Sequence, residues 1–296
     1  MLRTLLRQAP KAAAVAGVSI ATLQPARCDA ATTPSQPPTL VQRCIAEAVG
    51  TGIIITGGCG VVSAAKYASS GITVGGIASV WGTSVALAVY ATRDISGAHL
   101  NPAVTAALAV HKPDALPIEE APFYVAAQIA GATIASAINY AVFSNGIAAF
   151  EAAQGIVRGT AASTASFHGA FGMVPTTALM KAPAAFFAEI WMTGVLVFMI
   201  FAIGDPGKTV PADAGPVLVG ATVTALITVF GPVTGCGMNP ARDIGPRLVT
   251  LCAGWGKAAL TAAPIYTIGP IIGAILGGAL HEAVMAKGAK VPEFPF

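Results

Sequence analysis

Charge is scarce in this sequence: 10% of its 296 residues are Asp, Glu, Lys or Arg, against roughly a quarter in soluble domains. That shortage, with 55% hydrophobic residues and a mean hydropathy of +0.73, excludes an ordinary soluble fold and indicates a polytopic membrane protein. The net charge of +3 is too small to imply a nucleic-acid partner. Cysteine is sparse as well. Cys28, Cys44, Cys59, Cys236 and Cys252 form no CxxC pair and no cluster with histidine, so neither a disulfide framework nor a zinc site is expected. No nucleophile–base arrangement, phosphate-binding loop or metal cluster is legible, and neither an enzyme nor a cofactor is expected.

Small apolar residues are plentiful. Thirty-three glycines and abundant alanine suit helices that pack closely in a bilayer. Past residue 39, six apolar segments are long enough to cross: Leu40–Ala65, Val74–Ala91, Ala121–Phe143, Pro183–Ile203, Gly215–Phe230 and Ala262–Ala286. Two shorter apolar runs, Asn101–Val110 and Asn239–Leu251, remain. Each opens with Asn-Pro-Ala, at Asn101-Pro102-Ala103 and Asn239-Pro240-Ala241. Asn suits the N-cap and Pro the first helical position. A ten-residue helix is only about 15 Å long, half of a hydrocarbon core.

Half-crossings make sense in pairs. "AEAVGTG" (46–52) opens the first spanning segment and "AEIWMTG" (188–194) the fourth, and the halves match segment for segment. Three crossings per half is an odd number, so the second copy inserts upside down. Repeat 1 covers about 40–143 and repeat 2 about 183–286. Inverted repeats place their site near the midplane, on broken helices. Two half-helices entering from opposite faces complete one pseudo-span, with both positive N-termini at the centre. Each Asn oxygen caps its helix, leaving the amide NH₂ to donate toward a passing oxygen.

The chain outside the bundle is read separately. Arg3, Arg7, Lys11 and Arg27 precede the first acid, Asp29. Residues 1–39 therefore read as a basic leader and linker, suited to an organellar presequence for a mitochondrion or plastid. A cytosolic tail of a plasma-membrane protein and a secretory signal core over Ala12–Leu23 are the alternatives. Ten of the sixteen Lys and Arg fall on the side of the termini, which places that side in the cytosol-like compartment.

"SGAHLNPAVT" (96–105) and "GCGMNPARDIGPRL" (235–248) closely resemble the two pore signatures of the aquaporin family, the major intrinsic proteins. The resemblance spans Leu40 to Lys287, read here as a channel domain over 40–287. It implies an all-α bundle of six transmembrane helices plus two half-helices, one pore per chain, and a homotetramer. It also implies a four-residue filter near one mouth. By position relative to Asn101 and Asn239, those residues are Trp81, Ile227, Cys236 and Arg242. Arg242 supplies fixed charge and donors, and Trp81 and Ile227 an apolar wall.

Water-selective members usually carry a histidine at the position of Ile227. Its absence, Asp243 and Arg247 after the second motif, and the 138 positions between the asparagines resemble the glycerol-conducting branch. A long connection from Asn145 to Lys181 agrees. Cys236 departs from that branch, which usually has an aromatic there, and Tyr266-Thr267 replaces its usual Pro-Leu. The implied function is a passive channel for water, glycerol and similar small neutral solutes that excludes ions and protons. A water-selective channel and a proton-coupled transporter are the alternatives.

Glu47 and Glu189 are costly inside a membrane and need partners. Their symmetric placement favours bracing of the irregular chain before each half-helix over a proton relay. His99 is read as a loop-bracing residue beside the pore. Trp81 has an alternative as an interfacial anchor, and Cys236 as a packing residue.

Overall fold

The computed structural model describes residues 37–176, 179–205 and 211–285. The expected leader lies almost wholly outside the described residues, as do Lys208, Lys287 and Lys290. Among the described residues six helices are long and apolar enough to cross a membrane. They are α1 (Leu40–Tyr67), α2 (Val74–Ser96), α4 (Ala121–Gln154), α6 (Ala182–Ile203), α7 (Gly215–Thr234) and α9 (Ala263–Met285). The half-helices are α3 (Pro102–His111) and α8 (Pro240–Thr250), and α5 (Thr164–Phe167) is a single turn in the α4–α6 connector. The chain is an integral multi-pass membrane protein.

Local chemistry sets the boundaries. Thr39 and Gln42 form a capping box at the start of α1. Thr73 caps α2, which stops at Gly97 in the left-handed region (φ 83°). The half-helix α8 runs into a π-helical turn, Leu251–Trp255, that breaks at Gly254 with φ 101°.

One boundary differs from expectation. The polar stretch Ser144-Asn145-Gly146 reads as the beginning of a long connection, yet α4 continues through it for 34 residues in all. At about 51 Å it exceeds the roughly 30 Å hydrocarbon core. The reason is tertiary. A side chain at Gly146 would lie 2.7 Å from Tyr67 O, so α1 and α4 touch there backbone to backbone. Ile147, just beyond, is fully buried with Phe167 and Trp255. The connector is therefore 155–181, and the extra turns of α4 are part of its scaffold.

The two halves pack alike. α1 lies against α4 and α2, and α6 against α9 and α7. α2 meets α7 on the pseudo-twofold axis, where a Cβ on Gly82 would stand 2.4 Å from Gly220 O and one on Gly220 2.4 Å from Gly82 O. The half-helices exchange partners, α3 packing on α9 and α8 on α4. Each half thereby holds the other's short helix, and the two N-termini meet inside the bundle.

Candidate pore

The loops before the half-helices are built in matching geometry. Non-glycine residues take positive φ at Ala98 (51°) and Leu100 (54°), and again at Cys236 (59°) and Met238 (53°). Such conformations cost about 1–3 kcal/mol each and persist only where the surroundings impose them. Here the carboxylates do so. Glu47 accepts from His99 N at 3.0 Å and Leu100 N at 2.7 Å. Glu189 accepts from Gly237 N at 3.0 Å and Met238 N at 2.9 Å. In both halves these are the two residues before the capping asparagine, and both carboxylates are fully buried.

Each asparagine caps its own helix. Asn101 Oδ1 accepts from Ala103 N at 2.8 Å, and Asn239 Oδ1 from Ala241 N at 2.9 Å and Arg242 N at 3.3 Å. Their amide groups depart from the simple expectation of donors kept wholly for permeants. Asn101 Nδ2 donates to Met238 O at 2.9 Å, and Asn239 Nδ2 to Leu100 O at 2.9 Å. One hydrogen of each NH₂ is thus committed across the pseudo-twofold axis, because two carbonyls arrive there from the opposite loop. The second hydrogen is left.

A narrow cavity of about 70 Å³ runs past these groups. Asn101, Asn239 and His99 line it, as do Trp81, Ile227, Cys236 and Arg242. Pro102, Ala103, Pro240 and Ala241 are buried in the first turns of the half-helices and do not line it. Neither do Glu47 and Glu189. Ile54, Val85, Leu196 and Val223 give the wall an apolar side.

Arg242 is 3% exposed. Its Cζ sits 4.7 Å from the centre of the Trp81 ring, and its Nη2 donates to Gly169 O at 3.0 Å. Its Nη1 is buried with no hydrogen-bond partner among the described residues. Cys236 lines the cavity, with Sγ 3.4 Å from Met192 Sδ on α6. The imidazole of His99 packs on Tyr124 with centroids 4.9 Å apart, and its Nδ1 pairs with Thr105 Oγ1 at 3.3 Å.

Residues 35–281 match the family Major intrinsic protein. The chain belongs to that family. It is 38% identical over 265 residues to the glycerol uptake facilitator protein of Pseudomonas aeruginosa, covering 86% of this chain and 93% of that one. The glycerol uptake facilitator protein of Escherichia coli K12 is 37% identical over 264 residues, covering 86% and 91%. The propanediol uptake facilitator PduF of Citrobacter freundii is 38% identical over 257 residues, covering 84% and 93%. The fold is also that of the aquaglyceroporin of Plasmodium falciparum, with a TM-score of 0.71 at 24% identity, covering 84% of this chain and 98% of that one.

The structural roles of several groups at this major intrinsic protein's site escape a reading of sequence. Tyr124 OH donates to Ser96 O at 3.0 Å, and Tyr266 OH to Thr234 O at 2.6 Å, so a tyrosine in each half pins the end of the preceding long helix. Their signal was a phenol inside an apolar span, which needs a partner when buried. Asp243 accepts from Arg247 Nε at 2.6 Å and from Met173 N at 2.7 Å. Arg247 also donates to Ala259 O, Thr261 O and Met173 O. This pair ties both connectors on that face to α8. In the α4–α6 connector, His168 Nδ1 accepts from Val174 N at 3.2 Å. Burial, with Lys66, Arg242 and Arg247 nearby, lowers its pKa to about 4, so the ring stays neutral.

Proposed function

We propose that this chain is a passive transmembrane channel for glycerol and similar small neutral solutes, and for water, that excludes ions and protons. The observation that carries the reading is the two-sided cavity: Arg242, whose buried Nη1 has no hydrogen-bond partner among the described residues, lines it together with Trp81, Ile227 and Ile54. A polyol has a hydroxylated edge and a hydrocarbon edge, and such a wall accommodates both. The relatives named as glycerol and propanediol facilitators, at 37–38% identity, support the same class of solute.

In this reading Trp81, Ile227, Cys236 and Arg242 form the filter. Arg242 repels cations and donates to a solute oxygen. Asn101 and Asn239 offer their second amide hydrogens at the centre, where both half-helix dipoles also oppose cations. Glu47, Glu189 and His99 brace the loops. Glu47 and Glu189 lie off the cavity lining and hold backbone donors, which speaks against a proton relay.

The family resemblance supports a homotetramer. The basic leader supports an organellar membrane, with the plasma membrane as the other address. Stopped-flow light scattering on reconstituted vesicles tests the permeants by comparing glycerol, urea and water. Rapid glycerol and water flux is expected. Water flux alone contradicts the reading in favour of a water-selective pore.

A further inference from the structure

Arg242 packs on the Trp81 ring of α2, but its side-chain hydrogen bond goes to a connector. Its Nη2 donates to Gly169 O at 3.0 Å, and Gly169 lies in the segment between α4 and α6. That carbonyl is only as well placed as the segment carrying it, where Phe167, Ala170 and Phe171 are fully buried and Met173 is clamped by Asp243 and Arg247. A further hold stands a single residue upstream. Lys66, in the last turn of α1, donates from Nζ to His168 O at 3.1 Å and to Ala165 O at 2.5 Å. Residues 168 and 169 are consecutive, so one planar peptide unit separates the carbonyl held by Lys66 from the residue held by Arg242.

The surroundings stiffen that arrangement. The Lys66 ammonium lies 5.7 Å from the Tyr67 ring centre and 5.3 Å from that of Phe150, a cation–π setting that offsets its partial burial. Tyr67 OH donates to Ser166 O, between the two carbonyls that Lys66 holds. Gly169 takes φ +80°, and its N–H closes a tight turn onto Gly172 O at 2.9 Å. That turn aims the Gly169 carbonyl at the guanidinium. Lys66 itself does not line the cavity.

We propose that Lys66 is a positioning residue for the filter: through His168 O and the 168–169 peptide it fixes where Arg242 holds its charge and its unpaired Nη1. The inference rests on the channel reading above and adds the residue that sets its selectivity from outside the pore. Removing the ammonium leaves the carbonyls of Ala165 and His168 unpaired and loosens the 168–169 peptide, although the Gly169–Gly172 turn and the clamp on Met173 remain. Arg242 then loses its defined place against Trp81. A misplaced donor handicaps glycerol more than water, and a misplaced charge lowers the barrier to protons.

The test uses the full-length protein in vesicles. Stopped-flow measures water and glycerol permeability, and an enclosed pH dye measures proton leak under an imposed potential. Lys66→Met keeps an unbranched side chain and removes the donors. It should lower the glycerol-to-water ratio several-fold and admit protons, and Lys66→Arg should restore both. On an Arg242→Val background Lys66→Met should change neither, since its effect runs through a residue already removed.

A wild-type ratio without leak in Lys66→Met overturns the assignment, and so does an equal further change on the Arg242→Val background. If Lys66→Met does not reach the membrane, Lys66→Gln, with one donor group, takes its place: an intermediate ratio supports the role and a wild-type ratio refutes it. A wild-type protein that passes water but no glycerol contradicts the proposed permeant instead. The leak comparison still decides the part played by Lys66.

Discussion

Asn101 and Asn239 secure each other's loops: each side-chain amide donates at 2.9 Å to the carbonyl immediately before the other asparagine. The two half-helices are therefore one mechanical unit, although 138 positions separate the asparagines in sequence. Damage to either loop should reach the other through this exchange.

The carboxylates that shape those loops give the first prediction. Glu47→Gln and Glu189→Gln each replace an acceptor by an amide that turns donor against donor. An unpaired buried donor costs about 1–3 kcal/mol. Each variant should lower thermal stability by that order and reduce flux, without changing the pH dependence of flux. A steep shift of the pH profile, measured in vesicles, would revive the proton-relay alternative.

Arg242→Val removes the filter's fixed charge and leaves the apolar wall. Neutral solutes should still pass, and protons or small cations should now leak. Voltage-driven conductance measurements check this. A tight membrane in the variant would place the barrier elsewhere, at the half-helix dipoles.

Cys236 and Ile227 test the size of the passage. Cys236 lines the cavity and its sulfur lies 3.4 Å from Met192 Sδ, so a mercurial or a small methanethiosulfonate should block water and glycerol together, and Cys236→Ser should resist. Persistent block in that variant would implicate Cys59, which is also buried. Ile227→His should narrow the filter and slow glycerol more than water. Unchanged selectivity would remove Ile227 from the filter.

His168 predicts a pH effect on stability. Its folded pKa of about 4 lies below the ordinary value of about 6.5. Above pH 6.5 the ring is neutral in both states and the connector keeps its full stability. Between about 6.5 and 4 the unfolded chain binds a proton that the folded chain refuses, so stability falls as pH falls, by at most about 3 kcal/mol. Thermal unfolding in detergent should show this slope, and His168→Gln should flatten it. An unchanged slope in the variant assigns the effect to other groups.

Much of this architecture is legible in the sequence because it is local or repeated. Hydropathy marks the six spans, and Asn-Pro marks each half-helix by capping chemistry that acts within four residues. The duplicated Ala-Glu points to the carboxylates. What stays hidden depends on partners far along the chain. The extension of α4 rests on the contact of Gly146 with Tyr67, and the Tyr266 phenol finds its acceptor 32 positions away at Thr234. The clamp on Met173 by Asp243 and Arg247 joins residues some 70 positions apart. No spacing rule announces such pairings.

Passive movement of solute through this protein is open to an equilibrium experiment. Vesicles carrying the protein are loaded with glycerol at the outside concentration, isotopically labelled glycerol is added outside, and a pH gradient is imposed. Label should exchange rapidly until its specific content is equal on both sides, with no net glycerol gained whichever way the gradient points. Accumulation above the outside concentration, reversed when the gradient is reversed, would rule out a passive channel and establish a proton-coupled carrier.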